Sequence, residues 1–324
     1  EAAPTPVERE EEADQSLPSN QSLLGAARSL RTHHLPYGVV NNWYFDRFHR
    51  AKVLVLSDVQ AFEDAKVDEV LDFVKNGGGL YLSGHCPPRL LKEIFGLAYG
   101  GWTDETVTYI SPTAAGGRYM DGQFTRDYPL VMFERLPLAE GTPRGEVLGT
   151  LTLPYTIPNQ AGDAVTPFFA NGGAAADPLK RERVMKFASI HSNPPGIFTD
   201  RPAMVEASYG KGRAVWSAAA IERPDREQHS EIFARLIAEL AGGDFAFSAV
   251  APESVECVLF DAPEEKKMIM GVMNIQEGFH TPVVHDIEVS VACPGKPKAV
   301  RLLPGEAPLN FAWENGRATV RFAS

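Results

Sequence analysis

The sequence predicts an α/β protein, a doubly wound and mainly parallel sheet followed by a small all-β sandwich. Three observations carry this. First, Val53-Leu54-Val55-Leu56 is a continuous apolar run, as in a strand buried on both faces of a parallel sheet. Second, Val67, Val70, Leu71 and Val74 recur at i, i+3, i+4 and i+7, with Asp64, Lys66, Asp68, Glu69, Asp72 and Lys75 on the wet side of the same helix. Gly77-Gly78-Gly79 stops that helix, and Leu80-Tyr81-Leu82 starts a second strand at once. A βαβ crossover this short is right-handed and belongs to a doubly wound sheet. Third, after Asp244 the pattern changes to short extended segments at 255–260, 268–274, 286–291, 299–303, 309–313 and 318–322, separated by turn residues. That is a sandwich signature, which puts a domain boundary near Gly243.

In chain order, residues 1–20 combine Glu1, Glu8, Glu10, Glu11, Glu12 and Asp14 with three prolines and little to bury, which reads as an acidic tail or linker. Leu23, Leu24, Ala27 and Leu30 describe a short helix, and Tyr37-Gly38-Val39-Val40 is extended. Beyond the βαβ unit comes His85-Cys86-Pro87-Pro88, then a helix over 89–95 closed by Gly96, then a strand over 102–110. Residues 111–177 are rich in Gly and Pro, with short extended pieces such as 146–153. They read as a long irregular insertion that is functional or an interface. A strand over 184–190 leads into the polar loop His191-Ser192-Asn193-Pro194-Pro195. Strands over 203–208 and 213–219 flank Tyr209-Gly210-Lys211-Gly212, a hairpin signal. A helix over 227–240 puts Ile232, Phe233, Leu236, Ile237 and Leu240 on one side and ends at Gly242-Gly243.

Composition narrows the function classes. The chain has 324 residues, 44% of them hydrophobic, enough for a large core. Its net charge of -11, with 31 basic residues scattered among 42 acidic ones, argues against a nucleic-acid partner. No apolar run approaches the ~18 residues that span a bilayer, so no membrane partner is expected. Cys86, Cys257 and Cys293 are odd in number and far apart, which is no disulfide framework and mildly favours a reducing, cytoplasmic setting.

Several residues invite chemistry. Cys86 lies between a buried strand and a short helix, where α/β enzymes hold a nucleophile, but Pro87 and Pro88 remove the N–H groups an oxyanion needs; an inert thiol is the other reading. Glu222 ends a strand, a common place for a catalytic carboxylate, and with Asp225 it also precedes a helix whose positive end favours acids. His191, Ser192 and Asn193 form either a binding rim or a turn fixed by Ser192 and Asn193. Trp102, Trp216 and Trp313 are core or sugar-stacking residues. Gly210-Lys211-Gly212 lacks the spacing of a phosphate loop, and Cys257, His280, His285 and Cys293 lack zinc-ligand spacing, so neither a cofactor nor a metal is expected.

The stretch 52–84, then Phe187-Ala188-Ser189-Ile190-His191-Ser192-Asn193-Pro194-Pro195, then the run PAMVEASYGKGRAV from Pro202 to Val215, together resemble the bacterial β-galactosidase trimerisation domain. More closely, they resemble the version that follows the catalytic barrel in α-L-fucosidase-like and hypothetical glycoside hydrolases, and 254–322 resembles the β-sandwich that closes such enzymes. The resemblance implies a flavodoxin-like fold of the class I glutamine amidotransferases without their catalytic cysteine motif, over 21–243, and a sandwich over 244–324. It implies self-association as a homotrimer, a carbohydrate substrate, and a catalytic barrel supplied by the same or a partner chain, since the barrel with its two catalytic carboxylates is absent from this sequence. The His191-Ser192-Asn193 loop would then lie near a neighbouring barrel mouth, and this chain alone would hydrolyse no glycoside. Two further readings stand beside it: a free-standing amidotransferase-like enzyme using Cys86, which lacks a recognisable His-x-Glu pair, and a carbohydrate-binding module resting on the sandwich and Trp313.

Overall fold

A computed structural model describes residues 18–59, 62–120, 122–155, 194–275 and 282–323. Helix α1 (Pro18–Thr32) forms where expected but buries a different face. Leu23 and Leu24 are 44% and 55% exposed, whereas Ser22, Gly25, Ala26, Ser29 and Leu30 are buried. A Cβ on Gly25 would overlap the Glu222 carbonyl oxygen, so only the stripe of small residues can come this close. Residues 37–40 have no strand partner and form no strand. Instead Asn41 caps a 3-10 stretch (Asn42–Arg50), its Oδ1 accepting from the N–H groups of Trp43 and Tyr44 at 3.1 Å each.

The predicted βαβ unit is present as β1 (Val53–Ser57), α2 (Asp64–Lys75) and β2 (Gly79–Ser83). α2 buries Val67, Val70, Leu71 and Val74, and Gly77 follows it at φ 117°. β1 and β2 pair in parallel, from Val53 opposite Gly79 to Ser57 opposite Ser83. α3 (Pro88–Phe95) is closed by Gly96 at φ 71°. The segment read as one strand over 102–110 is two, β3 (Leu97–Trp102) and β4 (Thr108–Pro112). Next come α4 (Gly117–Met120), β5 (Leu130–Met132), β6 (Pro137–Gly141) and β7 (Glu146–Pro154). β8 (Pro195–Tyr209) and β9 (Gly212–Ser217) make the predicted hairpin, with Gly210 at φ 62° in a two-residue turn. α5 (Glu227–Leu240) has the predicted bounds.

The main sheet has the order β1-β2-β9-β8-β7-β4-β5. Only β1, β2 and β9 run in parallel; β8, β7, β4 and β5 are antiparallel to their neighbours. The protein is therefore α/β with a mixed sheet, which corrects the expectation of a mainly parallel one. Antiparallel neighbours can be joined by a tight turn, as β8 and β9 are at Gly210-Lys211, whereas a parallel pair needs a long crossover, as α2 supplies between β1 and β2. The stretch from 111 onward is likewise no loose insertion over its described part, since β5 and β7 belong to the main sheet and β6 pairs with β3. β5 and β6, of three and five residues between glycines and prolines, are too short to show a period, whereas β7 is the extended piece expected over 146–153. Two helix pairs, α1 with α5 and α2 with α3, pack over the parallel strands.

The remaining strands are β10 (Phe247–Val250), β11 (Val255–Ala262), β12 (Lys267–Asn274), β13 (Ile287–Ala292), β14 (Val300–Leu302), β15 (Ala307–Leu309), β16 (Phe311–Glu314) and β17 (Arg317–Phe322). They form a four-stranded antiparallel sheet, β10-β13-β17-β16, and the hairpins β11–β12 and β14–β15. Val255, Val284, Ile287 and Val289 make a second core, shared by Cys257, Met270 and Val272, so the first hairpin packs on the sheet as a second layer. His34 Nε2 meets the Val255 carbonyl at 3.0 Å, tying the end of α1 to this core. Among the described residues no helix is long and apolar enough to cross a membrane.

Candidate functional site

The carboxyl ends of β1, β2 and β9 bring the chemically capable residues together. Ser57-Asp58, Ser83-Gly84-His85-Cys86 and Ser217 end the three parallel strands. Asp58 sits at φ 51° and Gly84 at φ 62°. A Cβ on Gly84 would lie 2.5 Å from Asp58 Oδ1, so glycine is what lets these two turns meet. Asp58 Oδ1 also accepts from the His85 backbone N–H at 3.2 Å.

Arg223 is the hub. Its Nη2 donates to Asp58 Oδ2 at 2.9 Å, its Nε to Ser22 Oγ at 2.9 Å, and its Nη1 to Glu134 Oε2. The other Glu134 oxygen accepts from Ala220 N–H at 3.1 Å. Burial pushes the Glu134 carboxyl up to about 7, although the Arg223 charge opposes it. Glu222 beside it is 2% exposed, with Oε2 accepting from Tyr81 OH at 2.9 Å and Oε1 from Ser83 Oγ at 2.5 Å. Burial raises its pKa above the usual carboxylate range, against the hydrogen bonds from Ser83 and Tyr81. With α1 packed on the Glu222 carbonyl through Gly25, the strand ends are covered by a helix and crossed by an ion pair network.

Cys86 is fully buried at the turn into α3. The Tyr99 hydroxyl accepts from Cys86 N–H at 2.7 Å and donates to Cys86 Sγ at 3.2 Å. Burial pushes the thiol up to about 12, outweighing the Tyr99 hydrogen bond. The His85 ring lies over Tyr99, centroids 4.3 Å apart, and near Trp102 at 5.8 Å. Trp216 is core, its Nε1 donating to the Gly84 carbonyl at 3.3 Å; Trp313 is half-buried in β16, and Trp102 is 44% exposed.

His191, Ser192, Asn193 and the strand expected over 184–190 lie outside the described residues, as does His280. Cys257 faces the second core, its thiol pushed up to about 11 by burial. Among the described residues no three His, Cys, Asp or Glu side chains gather as a metal site. Sequence reasoning found Cys86 and Glu222 but missed Asp58, Glu134, Arg223 and Tyr99. A signal was available for Asp58: both strands of the βαβ unit end in Ser followed by a turn residue, Ser57-Asp58 and Ser83-Gly84. Glu134 carries none.

No family model and no curated protein matches the sequence. Solved structures do match in fold. α-L-Fucosidase isoenzyme 2 from Paenibacillus thiaminolyticus superposes with a TM-score of 0.69 at 18% identity, over 94% of this chain and 44% of that one. A catalytic mutant of Gan42B, a GH42 β-galactosidase from G. stearothermophilus, gives 0.57 at 14% identity, over 96% of this chain and 37% of that one. The cold-adapted β-galactosidase from Rahnella sp. R3 gives 0.51 at 13%, over 95% and 38%. The likeness is one of fold. This chain spans less than half the length of each.

Proposed function

We propose that this chain is a non-catalytic oligomerisation and support region of a glycoside hydrolase, with an amidotransferase-like, doubly wound trimerisation domain over 21–243 and a β-sandwich domain over 244–324. The observation that carries the reading is the state of the strand ends. Open α/β sheets place ligands in the crevice outside the carboxyl ends of their parallel strands. Here that place is filled by α1 and the Arg223 network, and the one thiol in it is fully buried and protonated at neutral pH. A nucleophile needs access and a thiolate, so the amidotransferase alternative has no support in this geometry.

The fold likeness favours the same reading. Nearly the whole chain superposes on part of a fucosidase and of β-galactosidases, leaving more than half of each of those chains outside the match. In this reading the outside part of a parent enzyme carries the two carboxylates of glycoside hydrolysis, and His191-Ser192-Asn193 belongs to a rim near its mouth. The test is turnover by the isolated chain. Nitrophenyl α-L-fucoside and β-D-galactoside, and glutamine as amide donor, are expected to give no product above buffer. Turnover that disappears in Cys86→Ser or Glu222→Gln overturns the proposal.

A further inference from the structure

We infer that the outer face of the β11–β12 hairpin, centred on Phe260, Ile269 and Met273, is a contact surface for further copies of this chain, a reading that rests on the self-association proposed above and gives it a place. Within the same unit, β13 and β17 alternate as strands with one wet face do. Ile287, Val289 and Val291 are separated by Glu288 and Ser290, and Ala318, Val320 and Phe322 by Thr319 and Arg321. The hairpin breaks this rule. Cys257-Val258-Leu259-Phe260 and Met268-Ile269-Met270-Gly271-Val272-Met273 are continuous apolar runs, the pattern of strands covered on both faces. Among the described residues only the inner face is covered, by the second core on which Cys257, Met270 and Val272 pack.

The antiparallel register defines the other face. Cys257 lies opposite Val272, so the neighbouring pairs Val258–Gly271, Phe260–Ile269 and Glu256–Met273 all point outward. Phe260, Ile269 and Met273 are 58%, 48% and 43% exposed. A Cβ on Gly271 would lie 3.9 Å from Phe260 Cε2, so the ring reaches along the hairpin to the glycine between Ile269 and Met273 and joins the three side chains into one patch. It amounts to about 300 Å² of apolar surface, the size of a functional patch. The rest of the ~800 Å² that a standard contact takes from each partner comes from the polar rim of the two eight-residue strands.

Charge selects the occupant. The ionised side chains on this face already have partners within the chain, Glu256 facing Arg31 at 4.0 Å and Lys267 facing Glu265 at 3.0 Å, so a strongly charged partner gains little there. Copies of a chain with net charge -11 repel one another over most of their surface, and a neutral apolar face is where that repulsion is least and burial gains most. Around a threefold axis one such patch meets its own copies on both sides, so three hairpins cover each other without a second surface.

The test is the mass of the intact chain by light scattering, and its assembly constant by sedimentation, for the wild type, Phe260→Asp, Ile269→Asp and Phe260→Leu. Each aspartate puts a charge at the centre of the contact and is expected to weaken assembly by about a hundredfold, leaving monomer at micromolar concentration, whereas Phe260→Leu should stay within about tenfold of wild type. An unchanged far-UV spectrum separates a lost contact from a lost fold. Trp43→Asp, which replaces an indole 87% exposed on the α/β unit, should leave the mass unchanged. A wild-type assembly that survives both aspartates, or that dissociates in Trp43→Asp instead, overturns this face and leaves self-association standing. A wild-type monomer overturns both.

Discussion

Arg223 bonds Ser22, Asp58 and Glu134 through three different atoms, and Glu134 does not titrate like a surface acid. Glu134 is the informative one. Its carboxyl is raised from 4.5 to about 7, so between those values the folded protein holds a proton that the unfolded chain has released. Stability from this group is therefore full below pH 4.5, falls as pH rises through the window, and is level above about 7. At about 1.4 kcal/mol per unit the loss is at most about 3.5 kcal/mol. Glu222 is raised too and acts in the same direction, whereas Glu206 is held low by Arg213 and Arg118 despite burial and acts in the opposite one. Glu134→Gln is expected to flatten the decline in urea stability across that window; parallel profiles for the two proteins would show that Glu134 does not titrate there. Little of this was legible in sequence. Glu222 and Cys86 stood out because they follow apolar strands, while Glu134 and Arg223 meet only through tertiary pairing of distant segments.

At the scale of elements, periodicity identified what was long and amphipathic. α2, α5, the βαβ unit and the 209–212 hairpin were readable because each has several turns of a helix or a glycine turn to mark it. β5 and β6 were not, being short and bounded by Gly and Pro, and β10 was missed for the same shortness, whereas β7 answers to the extended piece read over 146–153. α1 shows the opposite failure: the helix was found and its face was wrong. Leucines at 23 and 24 outweigh serines and glycine by hydrophobicity, yet contact with the 222–223 backbone selects for size. This gives a prediction with a sign that helix propensity alone would reverse. Gly25→Ala gains up to about 1 kcal/mol of propensity but must displace the Glu222 carbonyl, so it should lower stability by about 1–3 kcal/mol. Chemical denaturation compares it with Gln21→Ala on the exposed side of the same helix, which should be neutral or slightly stabilising.

For the whole molecule, two cores stand behind one continuous fold, and the chemistry at the strand ends is bonded inward to α1, β1 and β2 rather than outward to solvent. In the proposed function, the surfaces of this chain serve self-association. The most direct measurement of that claim is the mass of the purified chain by light scattering at micromolar concentration. The account predicts a stable assembly, three times the 35.4 kDa chain mass. A single species at 35.4 kDa, unchanged on concentration, would contradict it.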